Sequence, residues 1–138
     1  MKHFLFLVLL ISGCVASTRE VDNNFSAIPR NQLGLIHERY GMMISSIDDD
    51  KSYDSRTIFW AHEFLLAPGK RDVTIKIYNP TGDGEFNFKY FHFILNVEGG
   101  GDYNLKYSIS SKDLSIAWYI EDSSTKKIYL PSKVSLKL

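Results

Sequence analysis

Strict alternation of apolar and polar residues constrains this chain more than any other feature. In Asp72-Val73-Thr74-Ile75-Lys76-Ile77-Tyr78, the side chains of Val73, Ile75 and Ile77 fall on one side of an extended backbone, and those of Asp72, Thr74 and Lys76 on the other. A helix would scatter these residues around its circumference, so the period predicts a strand with one face against a core. Pro68-Gly69 opens it and Asn79-Pro80-Thr81-Gly82-Asp83-Gly84 ends it, a run that suits a turn and no central strand. Arg56 to Leu66, rich in Ile58, Phe59, Trp60 and Phe64, reads as the other arm of a hairpin closed at Pro68-Gly69.

The same period continues towards the C-terminus. Phe86 to Val97 reads as a long strand with Phe91, Phe93, Leu95 and Val97 inward, broken by Gly99-Gly100-Gly101-Asp102 in what reads as a hairpin connection. Tyr103, Leu105, Tyr107 and Ile109 alternate next. Ser110 to Asp113 turns the chain into Leu114, Ile116, Trp118 and Ile120, and Asp122 to Thr125 turns it again into Lys127 to Leu130. Val134, Leu136 and Leu138 suit a last edge strand. Asn31 to Met43 carries Gly34 and Gly41, which favour a bent strand over a helix. Seven or eight short strands at near-regular spacing predict an all-β domain over residues 31–138, an antiparallel β-sandwich, with a small closed barrel as the second architecture. No internal repeat is present, which sets solenoids and propellers aside.

The N-terminal end carries a different signal. Lys2 supplies a positive start, Phe4 to Ile11 an apolar run of eight residues, and Ser12-Gly13 small residues before Cys14, the single cysteine of the chain. Such a run is too short to cross a hydrocarbon core, which takes about 20 residues. The arrangement resembles the lipobox of bacterial lipoproteins. That resemblance implies a signal peptide over residues 1–13 and a diacylglycerol thioether on Cys14, with palmitate or a similar chain added at the new amino group. Two or three chains make a durable anchor where one is marginal. It also implies a cell-envelope location. Val15 stands where an aspartate marks inner-membrane retention in enterobacterial lipoproteins, so the resemblance points to the outer membrane, facing the periplasm. An ordinary secretory signal cut after Ala16 is the alternative, since Cys14-Val15-Ala16 is also small enough for a peptidase.

One cysteine cannot form an intrachain disulfide, so the fold stands on its hydrophobic core. Residues 14–30 hold Ser17, Thr18, Arg19, Glu20, Asp22, Asn23 and Asn24 with no apolar period, and read as a polar tether; a first strand around Phe25 and Ile28 is the alternative. Pro68-Gly69, Gly101 to Leu105, and Trp118 to Asp122 with Thr125 to Ile128 look like a class of small exported lipoproteins with transthyretin-like sandwiches. That resemblance spans about half the chain in turn and core residues, and implies fold and location without an activity.

Charge excludes one partner class. The 16 basic and 16 acidic residues are interspersed, with no basic stripe for phosphates, so nucleic acid is not expected. The candidate chemical motifs each fall short. His62-Glu63 begins like a helical zinc motif, but Leu66 stands where the second histidine belongs. His37, His62 and His92 lack paired spacing for a metal. Asp48-Asp49-Asp50 with Asp54 lacks the glycine and closing glutamate of a calcium loop and reads as a solvated turn. Gly99-Gly100-Gly101 lacks the lysine and the helix start of a phosphate loop, and no serine sits in a nucleophile elbow. No cofactor is implied.

Aromatic residues are the remaining lead, at 19 of 138. Phe86, Phe88 and Tyr90 lie opposite Phe91 and Phe93 in strict alternation, which would make them a docking strip. A bulge near Lys89 would instead return them to the core, and is the favoured outcome because soluble proteins seldom leave such a strip bare. The sequence therefore predicts a non-catalytic, lipid-anchored binding or structural module that acts through contacts with an envelope protein. Two other readings stand beside it: an inhibitor or immunity lipoprotein that presents Thr81 to Glu85 to a wall-directed enzyme, and an envelope hydrolase.

Overall fold

The computed structural model describes residues 18–20, 27–51, 62–80, 86–113 and 115–137. Among these, ten strands form two sheets. A six-stranded sheet holds β1 (Thr18–Glu20), β4 (Glu63–Leu66), β2 (Gly34–His37), β7 (Asp102–Ile109), β8 (Ile116–Asp122) and β9 (Ile128–Tyr129), in that spatial order. A four-stranded sheet holds β10 (Lys133–Lys137), β6 (Phe86–Val97), β5 (Gly69–Pro80) and β3 (Met42–Ile47). The two pack face to face as an all-β sandwich. Pairing is mostly antiparallel; β1 with β4 and β2 with β7 are parallel, because the chain visits the other sheet between those partners.

The alternation read in the sequence is what builds the core. Val73, Ile75 and Ile77 of β5 and Phe91, Phe93, Leu95 and Val97 of β6 are buried on the inner face, against Ile36, Phe64, Leu66, Tyr103, Leu105 and Ile120 of the opposing sheet. β5 and β6 stay in register from Gly69↔Val97 to Pro80↔Phe86. No bulge interrupts them near Lys89, so the expected bulge is overturned. Phe88 and Tyr90 lie on the outer face of β6 and are nonetheless half-buried. Their neighbours Met43, Thr74 and Lys76 on that face are buried too, while Ile94 further along it is 40% exposed.

Two expected hairpins are sheet crossings instead. Glu63–Leu66 pairs with β1 and β2, while β5 pairs with β3 and β6, so Pro68-Gly69 is a corner between sheets, with Gly69 at φ 122°. Gly99 to Gly101 likewise carries the chain from β6 to β7 in the other sheet. Gly100 has φ 75°, and a Cβ on Gly101 would lie 2.6 Å from the Tyr103 hydroxyl, so the corner requires these glycines. Tyr103 fills that space. Its hydroxyl accepts the Glu98 N–H at 2.8 Å and donates to the Asn96 carbonyl.

The third crossing runs from β2 to β3, through Glu38 to Gly41. Glu38 is buried at it, and its carboxylate accepts the N–H groups of Ile44 at 2.7 Å and His62 at 3.1 Å. It thereby ties the start of β4 to β3 across the two sheets. Residues 14–30 were expected as a tether; within them Thr18–Glu20 lies along the outer edge of β4, and Arg30–Gln32 forms a 3-10 turn. Cys14 and the rest of the expected signal lie outside the described residues.

Candidate functional site

The inner face of the β7–β8 hairpin runs past the end of the core. Leu105 and Ile120 face each other at the last fully buried level. Beyond them, on the same face, come the pairs Tyr107↔Trp118 and Ile109↔Ile116. Trp118 is half-buried, Ile116 is 50% exposed and Ile109 is 64% exposed. The opposing sheet offers Ile77, Phe91 and Val134 at this end, and Val134 is 54% exposed. Between them opens a cleft of about 470 Å³, with Ile116 and Trp118 on one wall and Ile77, Phe91 and Val134 on the other.

Aromatic contacts hold the mouth in shape. The Arg39 guanidinium sits 5.2 Å above the Tyr107 ring, Tyr107 lies 5.3 Å from Trp118, and Trp118 lies 6.2 Å from Phe91. Tilted rings at such spacings are mutually favourable, which fixes Trp118 as a wall rather than a plug. Lys89 also lines the cleft. In register with Ile77 and Leu136, it places a cation on the inner face, and it makes no ion pair among the described residues.

A polar cluster occupies the outer face of the six-stranded sheet. His37 Nδ1 lies 3.0 Å from Glu63 and Nε2 lies 2.7 Å from Asp102, so the imidazole joins β4, β2 and β7. Both contacts are hydrogen bonds only when both ring nitrogens carry protons, since carboxylates accept and do not donate. Asn104 bridges onward from Asp102 to the Ser123 hydroxyl. The chain of contacts reaches Ser123 through an amide and never sets a serine against the imidazole. A shallow depression of about 320 Å³ adjoins it, with Arg30, Leu35, Glu63 and Asp102 among its walls.

The sequence-derived candidates are placed as follows. His92 is on the outer face of the four-stranded sheet, opposite the His37 face, with Nδ1 3.0 Å from the Thr74 hydroxyl. His62 is buried edge-on against Phe64. The three histidines do not converge. Asp48 and Asp49 have φ of 50° and 66°, as a turn requires, and Asp48 accepts from Arg71 at 2.8 Å and from the Asp72 N–H at 2.9 Å. Asp54 and Thr81 to Glu85 lie outside the described residues.

Of the aromatic strip, Phe88 contacts the Tyr78 ring at 6.1 Å and the Lys76 ammonium at 5.4 Å, Tyr90 is half-buried, and the Phe86 side chain lies outside the described residues. Ile109, Ile116 and Val134, at the open end of the sandwich, are more exposed than Ile94 on the outer face of β6. Ile109 and Ile116 continue the alternation of Leu105 and Ile120, Val134 belongs to the expected edge strand, and nothing local in the sequence shows where the two sheets part. Comparison of the chain with family models, with curated proteins and with solved structures gives no match.

Proposed function

We propose that the chain is a non-catalytic binding module, held at a membrane by lipid on Cys14 and working through protein contacts at the open end of its sandwich. One observation carries the contact surface: Ile116 and Val134, each half or more exposed, line a cleft together with buried Ile77 and Phe91, and exposed Ile109 pairs with Ile116 beside it. Each forgoes burial worth on the order of 1 kcal/mol in the isolated domain. Contiguous apolar surface of this kind marks interaction sites more often than scattered residues do.

The chemistry of the cleft supports binding over turnover. Among the described residues that line it, the polar groups are Lys89 and Tyr78, with no carboxylate, histidine or serine to serve as base or nucleophile. The anchor rests on the run from Phe4 to Cys14. Among the described residues no helix is long and apolar enough to cross a membrane.

A photoreactive amino acid at position 109 tests the surface in intact cells, with one at position 119, on the opposite face of the hairpin, as reference. One discrete protein adduct at 109 and none at 119 is the expected result; equal diffuse labelling at both would overturn the contact surface. Cys14→Ser tests the anchor in the same cells. It is expected to abolish palmitate incorporation, and undiminished incorporation would refute lipidation at that residue.

A further inference from the structure

We propose that the free edge of β8 takes up an extended segment of a partner protein, added to the six-stranded sheet in line with β9. This rests on the protein-contact reading above and specifies its chemistry.

The backbone shows an unfilled lane. The Asp122 N–H donates to the Lys127 carbonyl across the β8–β9 turn. Alternate residues of an antiparallel strand turn their hydrogen-bonding groups the same way, so Ile120, Trp118 and Ile116 also direct theirs to the β9 side. Ile120 is paired there with Tyr129. Trp118 would face Pro131, which has no N–H, and the chain leaves instead for the other sheet, where the Ser132 N–H bonds to the His92 carbonyl. From Trp118 to Ile116 the edge has no backbone partner among the described residues.

The other sheet edges carry devices that discourage pairing, and this one does not. β1 is three residues long, β3 shifts register between Ile44 and Ser46, and β10 carries Lys133 and Lys137 in five residues. Short length, bulges and lysines each blunt an edge. The open stretch of β8 reads Ile116-Ala117-Trp118-Tyr119, with no proline, lysine or bulge.

The space beside that edge says what would fill it. A strand in line with β9 lies over Val134 and closes the apolar cleft, so its inward side chains, at every second position, must be apolar. Four residues of strand span about 13 Å, which sets the length of the segment. Lys89 supplies a cation on the inner face with no ion-pair partner among the described residues, so the segment carries a carboxylate at its end nearest Lys89. A second copy offering the open stretch of its own β8, Ile116 to Tyr119, would bring Ile116 and Trp118 and no acid within that stretch, which disfavours self-pairing. Main-chain bonds then give affinity, and the alternate side chains with the carboxylate give selectivity.

The test uses the purified chain from residue 14 onward and an acetylated, amidated heptapeptide that alternates valine with threonine and ends with glutamate, since a strand in line with β9 reaches Lys89 with its C-terminal end. Two N-methylated versions block alternate amides, one set in each peptide. The expected result is that one methylated peptide binds about tenfold more weakly than the parent while the other stays within about twofold, since only one set of amides faces β8. The parent is expected to slow hydrogen exchange at the Ile116 and Trp118 amides. Lys89→Glu is expected to reverse the preference from a glutamate-ended to a lysine-ended peptide.

Equal weakening, or none, in both methylated peptides would overturn strand addition while leaving the contact surface intact. So would the absence of binding at about 1 mM peptide. Protection of Ile116 and Trp118 that grows with protein concentration alone, with a dimer mass, would replace the partner segment with a second copy. Failure of the contact reading itself is read separately, from crosslinking at position 109.

Discussion

Single residues in this protein decide how the chain turns, and Asp122 is the clearest example. It is buried at the end of β8, where its Oδ1 accepts the N–H groups of Ser124 at 2.8 Å and Thr125 at 3.3 Å, while Lys126 takes φ 62° to complete the turn into β9. Burial pushes the carboxyl up, but the Ser124 N–H, the Thr125 hydroxyl and N–H and nearby Lys127 outweigh it and hold it below its ordinary value. A group lowered on folding binds protons better in the unfolded chain. Its contribution is therefore present in full above the ordinary aspartate value, about 3.9, and is lost as pH falls through the lowered folded value. Asp122→Asn keeps an acceptor for the turn and removes the titrating carboxyl. Thermal unfolding from neutral pH to about pH 3 is expected to show a smaller loss of Tm in the variant than in the parent. Equal losses would show that the turn adds nothing to acid sensitivity.

Elements were legible where one strand meets one core. β5 and β6 follow the alternation from Asp72 and Phe86 because each keeps a single inner face along its length. Corners were not legible, because Pro68-Gly69 and Gly99 to Gly101 satisfy a hairpin and a sheet crossing equally, and only the long-range partners of β4 and β7 decide between them. Phe88 and Tyr90 depart from the expectation: a bulge would return them to the core, and the unbroken register instead leaves them half-buried on the outer face beside buried Met43, Thr74 and Lys76. The β7–β8 hairpin shows the limit for the site, since Tyr107 and Ile109 continue the period of Tyr103 and Leu105 into a region where the two sheets stand apart around the cleft. That difference is measurable. Ile109→Lys is expected to change stability by less than about 0.5 kcal/mol, and Leu105→Ala to cost about 3 kcal/mol, by denaturant unfolding. A comparable loss in both would place the hairpin tip in the core.

At the scale of the molecule, two sheets of unequal extent share one core, and the mismatch leaves an open end. The six-stranded sheet fills its lane beside β8 for only two residues, Ile128–Tyr129, before Pro131 sends the chain to the opposite sheet. Below the part of that lane with no strand among the described residues lie Val134, Phe91 and Lys89, an apolar floor with one cation. An envelope module built this way would be completed by what it binds, and the lipid expected on Cys14 would keep it near a partner in the same compartment.

The most direct measurement is amide hydrogen exchange along β8 in the isolated chain. The account predicts slow exchange at Ile120, which pairs with Tyr129, and rapid exchange at Trp118 and Ile116, whose N–H groups face an unfilled lane. Protection at Trp118 and Ile116 equal to that at Ile120 in a monomer would mean that the lane is already occupied, and the open end would lose its role.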